Sequence, residues 1–194
     1  KENVRIFRGD DNNVLSRFMD ITAKTKANYI VRLTADCPLI DPSIIDKAII
    51  SITEHKLDYV SNILKRTYPD GLDVEVFSRS TLKKTFENVT DDYSKEHVTT
   101  YMHGLHKKKY KKGKFKKLNI QNSINLSHMR WTLDEEKDFH FINDIFCSLK
   151  YDFSWKEVLE YLTKHPEKLI RNNMIGTGLK ADKANKKKKV FSKS

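Results

Sequence analysis

The chain has 194 residues, 38% hydrophobic and 10% aromatic, with 32% charge and a formal net charge of +11. That is enough to build one domain around a buried core, and too apolar for a disordered segment. Its two widely separated cysteines, Cys37 and Cys147, exclude a disulfide framework, and no apolar run reaches the roughly 20 residues of a membrane-spanning helix. A reduced, cytoplasmic protein without a signal peptide is the expectation.

Val4–Phe7 predicts a short strand, and Asn12 or Asn13 can cap a helix with Val14, Phe18 and Ile21 on its apolar face. Tyr29–Leu33 is a compact hydrophobic strand interrupted by Arg32. Asp41-Pro42 starts a helix, because a proline at the first helical position loses nothing by lacking an N–H; Ile45, Ala48, Ile49 and Ile52 make its buried stripe. Asp58–Ile63 predicts another strand. Tyr68-Pro69-Asp70-Gly71 signals a turn, and Asp73–Phe77 then alternates as a strand does. Ser80 is expected to begin a helix carrying Leu82, Thr85 and Phe86. Ser94 is expected to cap the next, with Val98, Tyr101, Met102 and Leu105 at helical spacing. Phe115–Ile120 and His128–Leu133 predict strands, Phe139, Ile142 and Phe146 mark a helix, and Ser154 caps a last one bearing Val158, Leu159 and Leu162. Alternating short strands and amphipathic helices define an α/β fold with a mostly parallel or mixed sheet.

The positive charge is concentrated. Eight lysines lie between Lys107 and Lys117, and seven more from Lys180 to Ser194 face Asp182 alone. Without those two runs, 22 basic and 25 acidic residues remain, a body of net −3. The runs predict a solvated loop and a flexible tail, dividing the chain into a domain over 1–179 and a tail over 180–194. No zinc finger, RNP-like strand or recognition helix accompanies them, so no specific nucleic-acid partner is expected.

Sheets of this class bind ligands beyond the carboxyl ends of their strands. Two carboxylates stand there: Asp36 after the Tyr29–Leu33 strand, and Asp134 after His128–Leu133. Each can also be read as a local cap. Together they suggest a Mg²⁺ site, because that ion prefers carboxylates, phosphate oxygens and water. Arg32 and Arg130 can offer planar positive charge to a phosphate or carboxylate, with structural ion pairs as the competing reading. Tyr68, Asp70, Asp73 and Glu75 are candidate ligand contacts on one loop. His97, beside Glu96, reads as an ordering or substrate-binding group rather than a general base.

Val31-Arg32-Leu33-Thr34-Ala35-Asp36-Cys37-Pro38-Leu39-Ile40-Asp41-Pro42 resembles the central motif of the sugar-acid cytidylyltransferases, the family acting on acylneuraminate and 3-deoxy-manno-octulosonate. Arg66–Val76, Glu96–Thr99 and Arg130–Asp134 are similar to its spore-coat polysaccharide branch, and the resemblance runs from about Val4 to Leu179. It implies a three-layer sandwich of the nucleotide-diphospho-sugar transferase type. It also implies transfer from CTP to an acidic sugar, giving a CMP-sugar and pyrophosphate for surface polysaccharide. By the same resemblance Asp36 and Asp134 are catalytic metal carboxylates with Asp138 in support; Arg32, Tyr68, Asp70, Asp73, Glu75, His97 and Arg130 face substrate, and a homodimer is compatible. The family's glycine-, serine- and arginine-bearing nucleotide loop has no counterpart here. The expectation is therefore an N-terminally incomplete domain, inactive alone, whose full-length parent is a Mg²⁺-dependent enzyme. A glycosyltransferase, an inactive homologue and a basic binding protein are the alternatives.

Overall fold

The computed structural model describes residues 4–105 and 111–168. The Lys180–Ser194 tail, the end of the resemblance near Leu179 and part of the lysine-rich loop lie outside the described residues. So does the boundary expected between 179 and 180.

Helix α1 (Val14–Ala23) begins where the Asn13 side chain accepts the Ser16 N–H, and strand β1 (Tyr29–Arg32) follows. Helix α2 (Pro42–Glu54) starts at Asp41 as the Asp-Pro signal predicts. One Asp41 oxygen accepts from the Ser43 N–H at 2.8 Å, and the other accepts from the Trp155 N–H at 2.7 Å. A single buried carboxylate thus ties the start of α2 to a helix more than a hundred residues away. Strands β2 (Tyr59–Ser61) and β3 (Glu75–Ser78) follow, then α3 (Arg79–Asn88), α4 (Asp92–His97), α5 (Thr100–His103) and β4 (Lys117–Asn119). Helices α6 (Glu136–Leu149) and α7 (Trp155–Lys164) complete the described order, α7 with the Ser154 cap expected.

The sheet runs β1-β3-β2-β4 and is mixed: β3 is antiparallel to β1 and β2, and β2 pairs with β4 in parallel. Period-two alternation divides its side chains between two cores. Val60, Val74 and Val76 pack with Ile44, Ile52, Ile145 and Leu162 from α2, α6 and α7. Tyr59 and Phe77 point to the opposite face, with Leu15, Leu82, Val98 and Met102. The outcome is the α/β sandwich expected, helices covering both faces of the strands.

Several local expectations are corrected. Val4–Phe7 is not a strand: among the described residues no strand pairs with it, and Val4 and Ile6 are 72% and 77% exposed. Ser78 rather than Ser80 caps α3, and Asp91 rather than Ser94 caps α4. In α6 the buried carboxylate of Asp138 turns the inner stripe to Asp138, Phe141, Ile142 and Ile145, leaving Phe139 outside. The single helix expected through Val98 is two. Val98 has φ +57° and ψ −57°, and the Thr99 N–H donates to the His97 carbonyl, a tight γ-turn of the rarer, strained hand. Burial of the Val98 side chain in the second core holds it there.

Candidate functional site

Two loops build the rim. After β1, the Cys37 N–H donates to the Thr34 carbonyl at 3.1 Å, closing a turn that carries Asp36. His128–Leu133, expected as a strand, makes only an isolated parallel bridge between Asp70 and Arg130. Instead of joining the sheet, this segment is clasped by the Tyr68–Asp73 loop. The Asp70 N–H donates to the Met129 carbonyl at 2.8 Å, and the Trp131 N–H donates to the Asp70 carbonyl at 2.6 Å. The Leu133 N–H donates to the Asp36 carbonyl at 2.8 Å, which brings the two predicted carboxylate loops together.

Gly71 makes the clasp sterically feasible. Its φ is +111°, and a Cβ there would stand 2.5 Å from the Trp131 carbonyl carbon and 2.8 Å from the Thr132 nitrogen. Gly71→Ala is expected to lower stability by about 2–4 kcal/mol through strain and backbone overlap, read as a fall in the urea midpoint.

The loops enclose a cavity of about 370 Å³. Asp36, Asp70, Asp73 and Asp134 line it with Arg66 and Arg130. Four carboxylates against two guanidinium groups give a net negative wall. Arg66 grips Asp73 with both arms, at 2.5 and 2.7 Å, and reaches Asp70 at 2.9 Å. Burial works against the Arg66 charge, but Asp73 and Asp70 outweigh it and raise its pKa. Arg130 holds Asp134 at 2.5 Å and Asp138 at 2.8 Å. One oxygen of Asp36 is buried and has no hydrogen-bond partner.

Asp70 titrates above the usual carboxylate range, chiefly from burial, with the charges of Asp73 and Asp134 adding to it and those of Arg66 and Arg130 opposing. A raised carboxyl pKa means the folded state disfavours the charged form, so the penalty grows as pH rises past the unfolded value. Asp70→Asn is therefore expected to leave stability unchanged or increased at neutral pH, checked by denaturant unfolding at pH 7 and pH 4. Cys37 also lines the cavity, but burial, reinforced by the charges of Asp73 and Asp36 against a Thr34 hydrogen bond, pushes its thiol up to about 12. It is no nucleophile at neutral pH.

Of the residues expected at a site, Asp36, Asp70, Asp73, Arg130 and Asp134 converge here. Arg32, Tyr68, Glu75, His97 and Asp138 are placed elsewhere. Strand parity sends Arg32 and Glu75 to the α1–α3 face, where they pair at 2.6 Å across the β1–β3 ladder and Tyr59 donates to the other Glu75 oxygen. Tyr68 is core, edge-on to Trp155 with ring centroids 5.6 Å apart. His97 ends α4 and packs on Tyr93. Asp138 lies beneath the rim, 0% exposed, with one oxygen accepting from Arg130 and from the Asp134 and Glu135 N–H groups.

Arg66 and Thr132 were not expected at the site. Their signals were present: Arg66 precedes Asp70 by four and Asp73 by seven, and Arg130, Thr132 and Asp134 alternate with apolar Trp131 and Leu133. Extended backbone puts alternate side chains on one side.

Two hard carboxylates on one wall, Asp36 and Asp134, suit a divalent cation that keeps waters and phosphate oxygens in its shell. Among the described residues, no three His, Cys, Asp or Glu side chains group to hold a metal by themselves. The described residues also contain no helix long and apolar enough to cross a membrane.

An α/β sandwich with a charged polar cavity beyond the strand ends has the architecture of nucleotide-diphospho-sugar transferases. Within that class the chain belongs to the cytidylyltransferases, matching the family described as Cytidylyltransferase over residues 2–169. It is similar to uncharacterized protein MJ1063 of Methanocaldococcus jannaschii, 31% identical over 180 residues, which span 88% of this chain and 68% of that protein. It is also similar to spore coat polysaccharide biosynthesis protein SpsF of Bacillus subtilis, 28% identical over 170 residues, 86% of this chain and 68% of that one. A solved cytidylyltransferase structure from Leptospira borgpetersenii superposes with TM-score 0.79 at 28% identity, covering 90% of this chain and 72% of that chain.

Proposed function

We propose that this cavity serves transfer of a cytidylyl group from CTP to a hydroxyl of an acidic sugar, releasing pyrophosphate and a CMP-sugar for surface polysaccharide. The observation that carries the reading is the meeting of Asp36 and Asp134 on one negatively charged wall. A triphosphate repels such a wall unless a cation is present. Asp36 and Asp134 would hold a divalent cation, which when bound supplies positive charge to the phosphates and polarises the α-phosphate. The protein's own contribution is placement. The Leu133–Asp36 backbone bond fixes the Asp134 stretch against the Asp36 turn, Arg66 fixes Asp70 and Asp73, and Arg130 presents positive charge toward developing phosphate charge. No covalent enzyme intermediate is required. The similarity to SpsF supports assignment to the spore-coat branch.

The full-length protein is expected to release pyrophosphate from CTP only with a sugar acid and Mg²⁺, to stop when the metal is chelated, and to recover on its return. Transfer of sugar from a ready-made nucleotide-sugar, without pyrophosphate, would establish a glycosyltransferase instead.

The lysine-rich segment borders a different hollow, with Asp58, Lys112, Lys114 and Phe115. Replacing Lys111, Lys112, Lys114 and Lys116 together with serine is expected to leave turnover within about two-fold. Screened surface charge at a separate hollow has little hold on the reacting groups. A loss as large as that from removing Asp36 would place the loop in the reaction.

A further inference from the structure

We infer that Thr132 binds substrate: its hydroxyl and the buried oxygen of Asp36 form a two-point subsite for one hydroxyl of the acceptor sugar. The inference rests on the nucleotidyl-transfer reading for the kind of ligand it takes.

Thr132 is only 7% exposed, yet it lines the cavity, and its Oγ1 is buried without a hydrogen-bond partner. Buried hydroxyls are rarely left so. Two other buried threonines are satisfied, Thr85 donating to the Thr81 carbonyl and Thr67 accepting from the Asn122 N–H, both at 2.8 Å; the Thr100 hydroxyl is also unpartnered but lines no part of this cavity. Thr132 has no such partner, because it sits in extended chain where no preceding helical turn offers a carbonyl. Asp36, which carries the other orphaned oxygen, lines the same cavity, and the 2.8 Å bond from the Leu133 N–H to the Asp36 carbonyl holds the two stretches side by side.

The two orphans are chemically complementary. An ionised carboxylate only accepts, whereas a threonine hydroxyl donates one hydrogen and can also accept. A ligand hydroxyl can donate to Asp36 and accept from Thr132, so one group satisfies both. The other Asp36 oxygen remains for a cation. A cation taking both oxygens is the competing occupant, and the experiment separates the two.

Thr132→Val and Thr132→Ser are compared with the wild-type full chain by denaturant unfolding and calorimetric titration. The probes are N-acetylneuraminate, 3-deoxy-manno-octulosonate, a neutral hexose, CTP and Mg²⁺. Thr132→Val is expected to unfold at the same or a higher urea concentration, since a methyl replaces an unsatisfied hydroxyl. Its affinity for the bound sugar is expected to fall about 10-fold, with CTP and Mg²⁺ binding unchanged and Thr132→Ser restoring the sugar. Earlier unfolding of Thr132→Val, unaltered sugar affinity, a matching loss of Mg²⁺ or CTP affinity, or no sugar binding by the wild type would each overturn the subsite. Pyrophosphate release is measured separately. Thr132-dependent sugar binding without release would remove the transferase reading and keep the subsite.

Discussion

Asp36→Ala is expected to cut CTP-dependent pyrophosphate release by the full-length protein about 10²–10³-fold, the range for losing one preorganised charge-stabilising group. Its stability should stay level or rise. The wild-type carboxylate has a buried oxygen with no partner, so removing it relieves a desolvation cost and breaks no side-chain hydrogen bond of that oxygen. The Asp36 carbonyl, which accepts from Leu133, survives the substitution and keeps the loops in register. A drop in turnover with an unchanged urea midpoint is therefore the signature. Asp41→Ala is the contrasting variant, because Asp41 supports the starts of two helices and lines no part of the cavity. Retained turnover in a folded Asp36→Ala protein would refute the assignment.

Asp138→Ala should do the opposite and damage the fold first. Removing it leaves the Arg130 guanidinium without its sealed partner and frees the N–H groups of Asp134 and Glu135 at the start of α6. Loss of one partner of a buried pair costs about 3–5 kcal/mol, a large part of a domain's stability. Burial tends to raise the Asp138 pKa, but Arg130 and the two backbone donors prevail and hold it below the usual range. The sign follows directly. The contribution of Asp138 is complete above the unfolded carboxyl value near about 4 and is lost as pH falls through the depressed folded value. The stability gap between wild type and Asp138→Asn, followed by urea unfolding from pH 7 down to pH 2, should narrow as acid is added. A constant gap would mean that the carboxylate's charge contributes nothing.

The α/β plan was legible because local chemistry and tertiary structure agree in α1, α2 and α7. Their caps at Asn13, Asp41 and Ser154 stand where the sequence places them. Local chemistry misled where partners decide. Val4–Phe7 has strand composition but no partner strand among the described residues, and residues 128–133 give their hydrogen bonds to loops rather than to a ladder. The site divided along the same line. Asp36 and Asp134 were visible as polar residues leaving hydrophobic runs, yet their meeting depends on the Asp36–Leu133 contact between distant stretches. Arg32 and Glu75 looked equally available, and only the β1–β3 register reveals that each is the other's partner. Tyr68 carried a loop signature but faces the Trp155 ring, a contact set by the docking of α7.

Arg130 has one sealed partner and one wet one: Asp138 is fully buried, while the Asp134 side chain is 50% exposed. Salt and water weaken the second bond far more than the first. Asp134 can therefore change hands at low cost while the guanidinium keeps its orientation. Added electrolyte should loosen the outer half of the triad and leave the inner half clenched, a latch that opens on one side only.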